Sequence, residues 1–249
     1  MFKSIDLAGS TRHQSAGGID DLMETKPHIP ACDADSHPKT QIKRVARHLF
    51  AERGVHNVGV REIAQAANQR NLGVVAYYFG TKERLISEIL IDGAERIEAL
   101  RAGFLGDLES NGGPVTVRQA VEAIVLPSAW FSQSDELYGS YYNRFLAQLS
   151  FSSGDLIDST LEGRWNRGYQ RCLSHLRRLL PDLSRVEQSR RFVFLGTYVS
   201  ALLAQREFML ADRARAHPTW RSEAMLQDIV RTATSLLTAP SSDDTNGNA

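Results

Sequence analysis

Apolar side chains recur at helical spacing in the stretch that ends at Gly54. They stand at i, i+3, i+4, i+7 and i+8, at Ile42, Val45, Ala46, Leu49 and Phe50. This spacing predicts an amphipathic helix over residues 39–54, with Gly54 as its stop signal. The early, polar side of this helix carries Lys39, Thr40, Lys43, Arg44 and Arg47.

Two short apolar patterns follow, and a polar turn separates them. The first spans residues 60–67, and the second spans residues 72–79. The turn between them is Asn-Gln-Arg-Asn at residues 68–71, a sequence that a helix interior does not favour. Two short helices joined by a tight turn form the helix-turn-helix arrangement that enters a DNA major groove.

The remainder of the chain also predicts helices. A fourth helix follows Gly80, with Thr81 as its N-cap, and runs to about Phe104. Five more are predicted, with breaks at Pro127, residues 152–154, Pro181 and Pro218; they span about residues 115–128, 133–151, 155–180, 184–211 and 218–238. Residues 74–79 alternate like a strand, but an isolated strand would have no partner. The predicted fold is therefore all-α.

The same patterns predict the domain organisation. Residues 1–38 lack a sustained period and contain several Pro and Gly residues, which indicates a disordered tail. Residues 39–86 form a three-helix helix-turn-helix domain, and residues 87–239 form a C-terminal helical domain. Residues 240–249 are predicted to be a second disordered tail.

Charge is unevenly distributed along the chain. The net charge of all 249 residues is zero, which taken alone argues against DNA binding. Residues 39–86, however, contain nine Lys or Arg residues and three acids, a net charge of +6, while the segments before and after carry −3 each. The positive charge therefore coincides with the helix-turn-helix, where phosphate groups would be neutralised.

Several classes of protein and site lack support in the sequence. Cys32 and Cys172 are the only cysteines, so no disulfide framework or zinc spacing exists, and the irregular spacing of His28, Cys32 and His37 does not favour a metal site. No apolar run is long enough for a membrane span, and no signal h-region occurs, which predicts a cytoplasmic protein. Dinucleotide, P-loop, zinc-protease and nucleophile-elbow motifs are absent, so neither a cofactor nor an enzyme is predicted.

Three sequence motifs together resemble the TetR family of one-component transcriptional repressors. They are LFAERG at 49–54, VREIAQAA at 60–67 and AYYFGTKERLI at 76–86. Asn68 stands where the family usually has Gly, in a turn that looks one residue longer, and Ala76 stands where it most often has Tyr. The resemblance implies a dimer that binds a pseudo-palindromic operator in double-stranded DNA, located at the nucleoid.

The pattern and the resemblance together predict the residues that contact DNA. They are Lys39, Thr40, Arg61, Arg70, Asn71, Leu72, Gly73, Val74, Ala76, Tyr77 and Lys82. Arg61 has the groups to bind guanine O6 and N7, although it also has Glu62 and Glu52 as alternative surface partners. Val74 and Ala76 are predicted to contact thymine methyl groups, Gly73 to permit close approach, and Tyr77 and Lys82 to bind phosphates.

The C-terminal domain is rich in aromatic residues, which predicts either a packed core or a mainly apolar pocket for a small effector. The pocket candidates are Trp130, Tyr138, Tyr141, Tyr142, Phe145, Trp165, Tyr169, His175 and Tyr198. For His175, a hydrogen-bonded structural role is an equal alternative. The last two long helices carry stripes that begin with Phe192 and Leu195 and with Met225 and Ile229, and the resemblance implies that these helices form the dimer interface.

The leading functional prediction is a homodimeric repressor that an apolar effector releases from its operator. Two alternatives stay open: a TetR-like activator and an architectural DNA-binding protein without a ligand. A further hypothesis, an all-α enzyme, has no motif that supports it. A cavity lined by aromatic residues would favour a ligand-responsive regulator over an architectural protein.

Overall fold

The computed structural model describes residues 37–134, 141–163, 166–212 and 214–240. These residues form α-helices, one short 3-10 helix (Val55–Asn57) and no strands, which confirms the predicted all-α fold. The first four helices are α1 (Pro38–Arg53), α2 (Val60–Ala66), α3 (Val74–Phe79) and α4 (Lys82–Ser110). The others are α5 (Val117–Ser134), α6 (Tyr142–Ser152), α7 (Gly154–Leu161), α8 (Arg167–Leu179), α9 (Arg185–Ala211), α10 (Pro218–Arg221) and α11 (Glu223–Thr238).

Helix α1 has a defined signal at each end. The His37 side chain accepts a hydrogen bond from the Lys39 N–H at 3.2 Å, and Pro38 occupies the first turn, where no intrahelical N–H bond is lost. Gly54 ends the helix at φ 78°, and its N–H donates to the Phe50 carbonyl at 2.9 Å. A residue with a Cβ would be strained at this angle, so glycine fixes the helix end predicted from the sequence.

The turn between α2 and α3 is built on Asn68. The N–H of Asn68 donates to the Gln65 carbonyl and that of Gln69 donates to the Ala64 carbonyl, both at 2.9 Å, which is the Schellman pattern of a helix C-terminus. Asn68 adopts φ 53°, the left-handed conformation that asparagine tolerates better than most residues. Asparagine therefore performs the role that glycine usually has in this turn.

Helix α3 begins two residues later than predicted, at Val74 instead of Leu72. The Asn71 side-chain oxygen accepts a hydrogen bond from the Gly73 N–H at 2.9 Å, and the Asn71 carbonyl accepts one from the Val74 N–H at 3.1 Å. These bonds hold residues 71–73 in a turn, because an asparagine side chain that bonds the backbone two residues on competes with the helix.

Helix α4 is longer than the prediction, which ended it at Phe104. Thr81 caps its start, since the Thr81 hydroxyl oxygen accepts from the Arg84 N–H at 3.1 Å. The helix continues through Gly103 and Gly106 to Ser110. Phe104 and Leu105 are buried there, so packing outweighs the low helix propensity of the two glycines.

Pro127 does not end a helix, although the sequence pattern predicted a break there. Helix α5 passes through Pro127 to Ser134. Proline provides no N–H for the carbonyl four residues earlier, that of Ala123. The Nε–H of Arg101 donates to this carbonyl at 3.1 Å, so a side chain of α4 supplies the missing hydrogen bond.

Two other predicted helices are divided in the structure. The one over 155–180 is interrupted between α7 and α8, where Gly163 has φ 74°. The one over 218–238 is interrupted at Ser222, whose hydroxyl caps α11 by accepting from the Met225 N–H at 3.3 Å. The breaks predicted at 152–154 and at Pro181 are present.

One continuous core joins the helix-turn-helix to α4, α5 and α6. The rings of Phe50 on α1 and Phe145 on α6 stack with their centroids 6.1 Å apart. Tyr142 is fully buried, and its hydroxyl donates to the Leu90 carbonyl of α4 at 2.9 Å. Its ring fills the space above Gly93, where an added Cβ would lie 2.0 Å from a ring carbon.

Candidate functional site

The exposed surface of the helix-turn-helix carries most of the predicted DNA contacts. Arg61 at the start of α2 and Arg70 in the turn are both exposed. Tyr77 on α3 is 81% exposed and Leu72 is 42% exposed. The remaining residues on this surface are also exposed: Asn71, Gly73 and Ala76.

Val74 is buried, so the thymine contact predicted for it is wrong. It is only 9% exposed and belongs to the core that holds α2 and α3 together. Helix α3 begins at Val74 and not at Leu72, and Val74 and Val75 both face inward. The exposed aliphatic side chains at α3 and just before it are those of Leu72 and Ala76.

The basic residues of α1 are mostly engaged within the molecule. Lys39 forms an ion pair with Glu88 of α4 at 2.9 Å, and Lys43 forms one with Asp92 of α4 at 2.5 Å. Arg47 is buried. The phosphate contact predicted for Lys39 therefore competes with an ion pair that the sequence pattern did not indicate. Thr40 is partly exposed, and Arg44 is exposed, as is Arg53 at the end of this helix, which pairs with Glu62.

Arg61 forms no ion pair with any described residue, although two acids had been alternative partners for it. Glu62 pairs with Arg53, and Glu52 pairs with His48 at 3.1 Å. The guanidinium group of Arg61 is therefore available at the surface of α2.

The first turn of α4 contributes Lys82 and a cation that the motif analysis missed. Lys82 is partly exposed, and its Nζ lies 5.8 Å from the centre of the Phe50 ring. Arg84 is exposed two residues later. The sequence does contain a signal for a phosphate contact at Arg84, because this residue lies in the first turn of the helix that follows the helix-turn-helix.

A cavity of about 750 Å³ lies among α4, α5, α6, α7 and α8. Two of the nine predicted pocket residues, Tyr142 and Tyr169, line it. The apolar part of its wall consists of those tyrosines and Ala94, Ile97, Leu146, Ile157 and Leu161. The acids in its lining are Glu98, Asp155, Asp158 and Glu162, three of them exposed on or just after α7.

An ion pair between the buried Arg101 and the partly buried Glu98 forms one side of this cavity. The Arg101 guanidinium binds the Glu98 carboxylate, and the other Glu98 oxygen accepts from the Gly168 N–H of α8. An added Cβ at Gly168 would lie 2.9 Å from that Glu98 oxygen, so glycine permits the contact. Burial raises the pKa of the Tyr169 hydroxyl, which keeps this side chain neutral, while nearby Arg101 partly offsets the rise.

The other predicted pocket residues are dispersed. The Trp130 ring packs on Phe104, the Tyr141 ring lies 4.2 Å from the His48 ring, and Phe145 belongs to the core. His175 pairs with Glu109 at 3.0 Å and holds the pKa of that carboxyl below its usual value, and the Tyr198 hydroxyl lies 2.5 Å from that of Thr232. Tyr138 and Trp165 lie outside the described residues, as do His28 and Cys32.

Helix α9 presents an exposed apolar stripe that differs from the stripe chosen from the sequence. Phe192 and Leu195 are buried within the subunit, as is Ile229 of α11. The exposed apolar residues of this stripe are Val186, Val193, Phe194, Ala201 and Phe208, and the exposed Arg190 and Thr197 lie on the same side. These positions recur at helical spacing, so they occupy one side of α9.

Two sequence models of known families match the chain. Residues 42–89 match the model of bacterial regulatory proteins of the tetR family, and residues 122–235 match the tetracyclin repressor-like C-terminal domain. The two matches follow each other in the order that the fold requires. The chain belongs to the TetR family.

This TetR-family protein is similar to the HTH-type transcriptional repressor KstR2 of Rhodococcus jostii (strain RHA1), with 32% identity over 109 residues. The match covers 42% of this chain and 48% of KstR2, so the chain spans about half the length of that curated relative. The probable transcriptional regulatory protein RHA5900 has 18% identity, a TM-score of 0.49 and coverage of 80% of this chain and 96% of its own.

The fatty acid degradation regulator FadR of Bacillus halodurans gives similar values. Its identity is 18% and its TM-score 0.44, with coverage of 81% of this chain and 98% of its own. Both TM-scores are below 0.5, so the family assignment depends on the two family models and KstR2. Among the described residues, no helix has the length and apolar character needed to span a membrane, and no three His, Cys, Asp or Glu residues cluster as a metal site would require.

Proposed function

We propose that the protein is a homodimeric transcriptional repressor that a small effector releases from its DNA operator. The observation that carries the proposal is the exposed surface formed by α2, α3 and the first turn of α4. On the elements that precede and follow α3, Arg61, Arg70 and Arg84 are exposed and Lys82 is partly exposed. The acids Glu52 and Glu62 are engaged with other side chains. A basic surface around a helix-turn-helix suits entry into the major groove. This role would place the protein in the cytoplasm, at the nucleoid.

The dimer is part of the proposal because one subunit offers only one recognition helix. Two such helices must reach major grooves about 34–36 Å apart to bind a two-fold operator. The exposed stripe of α9, with Val193, Phe194 and Phe208 at its centre and end, supports a self-complementary interface. KstR2, the curated relative, is a repressor by name, and this favours repression over activation.

The effector is proposed to bind in the cavity. Ile97 and Leu146 belong to the apolar wall that would cover a largely apolar molecule. Helix α4 runs from this wall to Lys82, so a ligand that binds better when α4 is displaced would change the population of the DNA-binding state. The cavity is also the feature that favours a ligand-responsive regulator over an architectural DNA-binding protein.

The test is selection of bound fragments from genomic DNA, followed by two substitutions. A two-fold-symmetric motif is expected. Arg61→Ala should weaken binding to the motif by about 1–3 kcal/mol, which is roughly 5- to 150-fold, and relax the preference at one base pair, because it removes a bidentate contact. Lys82→Ala should weaken binding to all sequences, because it removes a phosphate contact.

The matched control is Arg231→Ala, since Arg231 is an exposed arginine of α11 that pairs with Asp228. This control should bind the motif as well as the wild type does. Fluorescence anisotropy at two salt concentrations measures all three variants. Wild-type affinity in both Arg61→Ala and Lys82→Ala would exclude this surface as the DNA-binding site, and salt-sensitive binding without a motif would favour the architectural role.

A further inference from the structure

The accessible side of α3 has few groups that form hydrogen bonds. Its residues are Leu72, Gly73, Ala76, Tyr77 and Gly80. The last four stand at i, i+3, i+4 and i+7 and therefore share one side of the helix. The side chains on this side are the isobutyl group of Leu72, the methyl group of Ala76 and the phenol of Tyr77. The Tyr77 hydroxyl is therefore the only one of these side-chain groups that forms hydrogen bonds.

The neighbouring polar residues do not change this character. The Asn71 side-chain oxygen already accepts the Gly73 N–H at 2.9 Å, so it does not offer the free amide that binds adenine bidentately. The guanidinium groups of Arg61 and Arg70 come from α2 and from the turn, outside α3. Helix α3 itself therefore lacks the Arg, Asn or Gln side chains that commonly recognise base edges.

We propose that Leu72 and Ala76 recognise the C5-methyl groups of thymines in the operator. Thymine is the base that presents a methyl group in the major groove, and apolar side chains contact it there. Gly73 assists, because the absence of a Cβ between these two residues lets the backbone approach the base edges. This inference deepens the proposed function and rests on it.

DNA is the occupant that the surrounding charge favours. Residues 39–86 carry a net charge of +6, and Arg61, Arg70 and Arg84 are exposed on the elements that precede and follow α3. An apolar protein partner would leave these cations unpaired, whereas the phosphates on both sides of a major groove would neutralise them. The arginines provide affinity and position, and Leu72 and Ala76 provide sequence preference at the centre of each half-site.

The experiment replaces each thymine of the selected operator by deoxyuridine, one position at a time. Deoxyuridine lacks only the methyl group and keeps the base pair and its O4 acceptor. One or two positions in each half-site should lose about fourfold in affinity, the effect of one buried methyl group, and the same change in both half-sites should cost about 15-fold. Thymines outside the half-site centres should tolerate the change.

A protein variant links the methyl group to its contact. Leu72→Ala should bind the operator more weakly and should no longer distinguish thymine from deoxyuridine at one position, which a double-mutant cycle measures. Val115→Ala is the control, because Val115 is 65% exposed and precedes α5, far along the chain from the helix-turn-helix. It should keep the full deoxyuridine penalty, and equal thermal midpoints would show that both variants fold.

A comparison of cytosine with 5-methylcytosine tests the contribution of the methyl group to binding without the use of deoxyuridine. At a sensitive position, cytosine should bind more weakly than 5-methylcytosine, because the latter restores the methyl group at the same site. A selected motif in which every deoxyuridine binds as well as thymine would overturn this inference and leave the regulator proposal intact. An unchanged penalty in Leu72→Ala would overturn the assignment to Leu72, whereas the absence of any motif would refute the proposed function itself.

Discussion

Glu207 places a carboxyl group between α9 and the start of α6. It is 8% exposed and accepts hydrogen bonds from the N–H groups of Arg144 at 2.8 Å and Asn143 at 3.4 Å. Burial raises the pKa of Glu207 to about 7, even though these N–H groups and the charge of Arg47 act in the opposite direction. The folded protein therefore holds this proton more tightly than the unfolded chain does.

This buried carboxyl group predicts a pH dependence of stability. A raised folded-state pKa stabilises the fold at pH values below the unfolded pKa of 4.5, and the contribution is lost as the pH rises to about 7. The free energy of unfolding should fall by on the order of 3 kcal/mol over this window, since a difference of one pKa unit corresponds to about 1.4 kcal/mol. Glu207→Gln should remove most of this slope, which urea denaturation at pH 4.5, 5.5, 6.5 and 7.5 would measure.

Glu223→Gln is the control for this experiment, because Glu223 is an exposed acid in the first turn of α11. Its pH profile should run parallel to that of the wild type. Parallel profiles for Glu207→Gln and the wild type would show that Glu207 titrates in the folded protein as it does in the unfolded chain.

Individual residues also show the limits of prediction from sequence. The exposed positions of Arg61 and Tyr77 follow from local pattern, since a charged or phenolic side chain stays at the surface of a short helix. The ion pair of Lys39 does not follow, because its partner Glu88 is 49 residues away in sequence. Val74 was misplaced because the inward side of so short a helix depends on where the helix starts, and Asn71 determines that start.

Among the glycines that the structure describes, Gly93, at the contact between α4 and α6, has the least space for a Cβ. A Cβ at Gly93 would overlap the ring of Tyr142, which α5 and α6 hold in place through Phe131 and Phe145. Gly93→Ala should therefore destabilise the fold by about 1–3 kcal/mol, the range for overpacked cores. Chemical denaturation would measure the loss.

Gly103→Ala is the matched substitution on the same helix. Nothing lies within 4 Å of a Cβ at Gly103, so alanine should stabilise α4 there by roughly 0.5–1 kcal/mol through its helix propensity. The two variants are thus expected to change stability in opposite directions. A stabilising Gly93→Ala would mean that Tyr142 moves aside at little cost and that α4 and α6 are coupled more loosely than the contact indicates.

Element boundaries were predictable where the signal is local. Gly54, Thr81 and Pro181 mark helix ends in the sequence and in the structure. Pro127 shows the opposite case, because the hydrogen bond from Arg101 that permits it comes from another helix. The break after Leu161 was missed in the sequence. In the structure Glu162 leaves the helical conformation with ψ 133°, and Gly163 follows with φ 74°.

For the molecule as a whole, the exposed stripe of α9 sets the expected assembly. Phe194 is 57% exposed and Val193 is 65% exposed, and large apolar side chains in a row on one helix are usually covered by a partner. We expect Phe194→Asp to convert the proposed dimer to a monomer and to reduce operator affinity by at least about tenfold, because one subunit then binds one half-site. Light scattering coupled to size exclusion measures the assembly.

Phe151→Asp provides the comparison, because Phe151 is 85% exposed at the end of α6 and does not belong to the α9 stripe. Phe151→Asp should leave the mass of the assembly unchanged. A dimer that survives Phe194→Asp but dissociates in Phe151→Asp would place the interface on α6. A wild-type protein that is monomeric at micromolar concentration would remove the basis for a two-fold operator.

The ion pairs between α1 and α4 also limit the number of counterions that DNA would release when the protein binds. A cation on a protein displaces condensed counterions from DNA only when its charge is free to meet a phosphate. Lys39 and Lys43 already neutralise Glu88 and Asp92, which lie outside the +6 segment, so the charge that DNA experiences there is closer to about +4. The gain in ion entropy on binding therefore depends on the exposed arginines and Lys82, and operator affinity should depend less steeply on salt than the composition of the segment suggests.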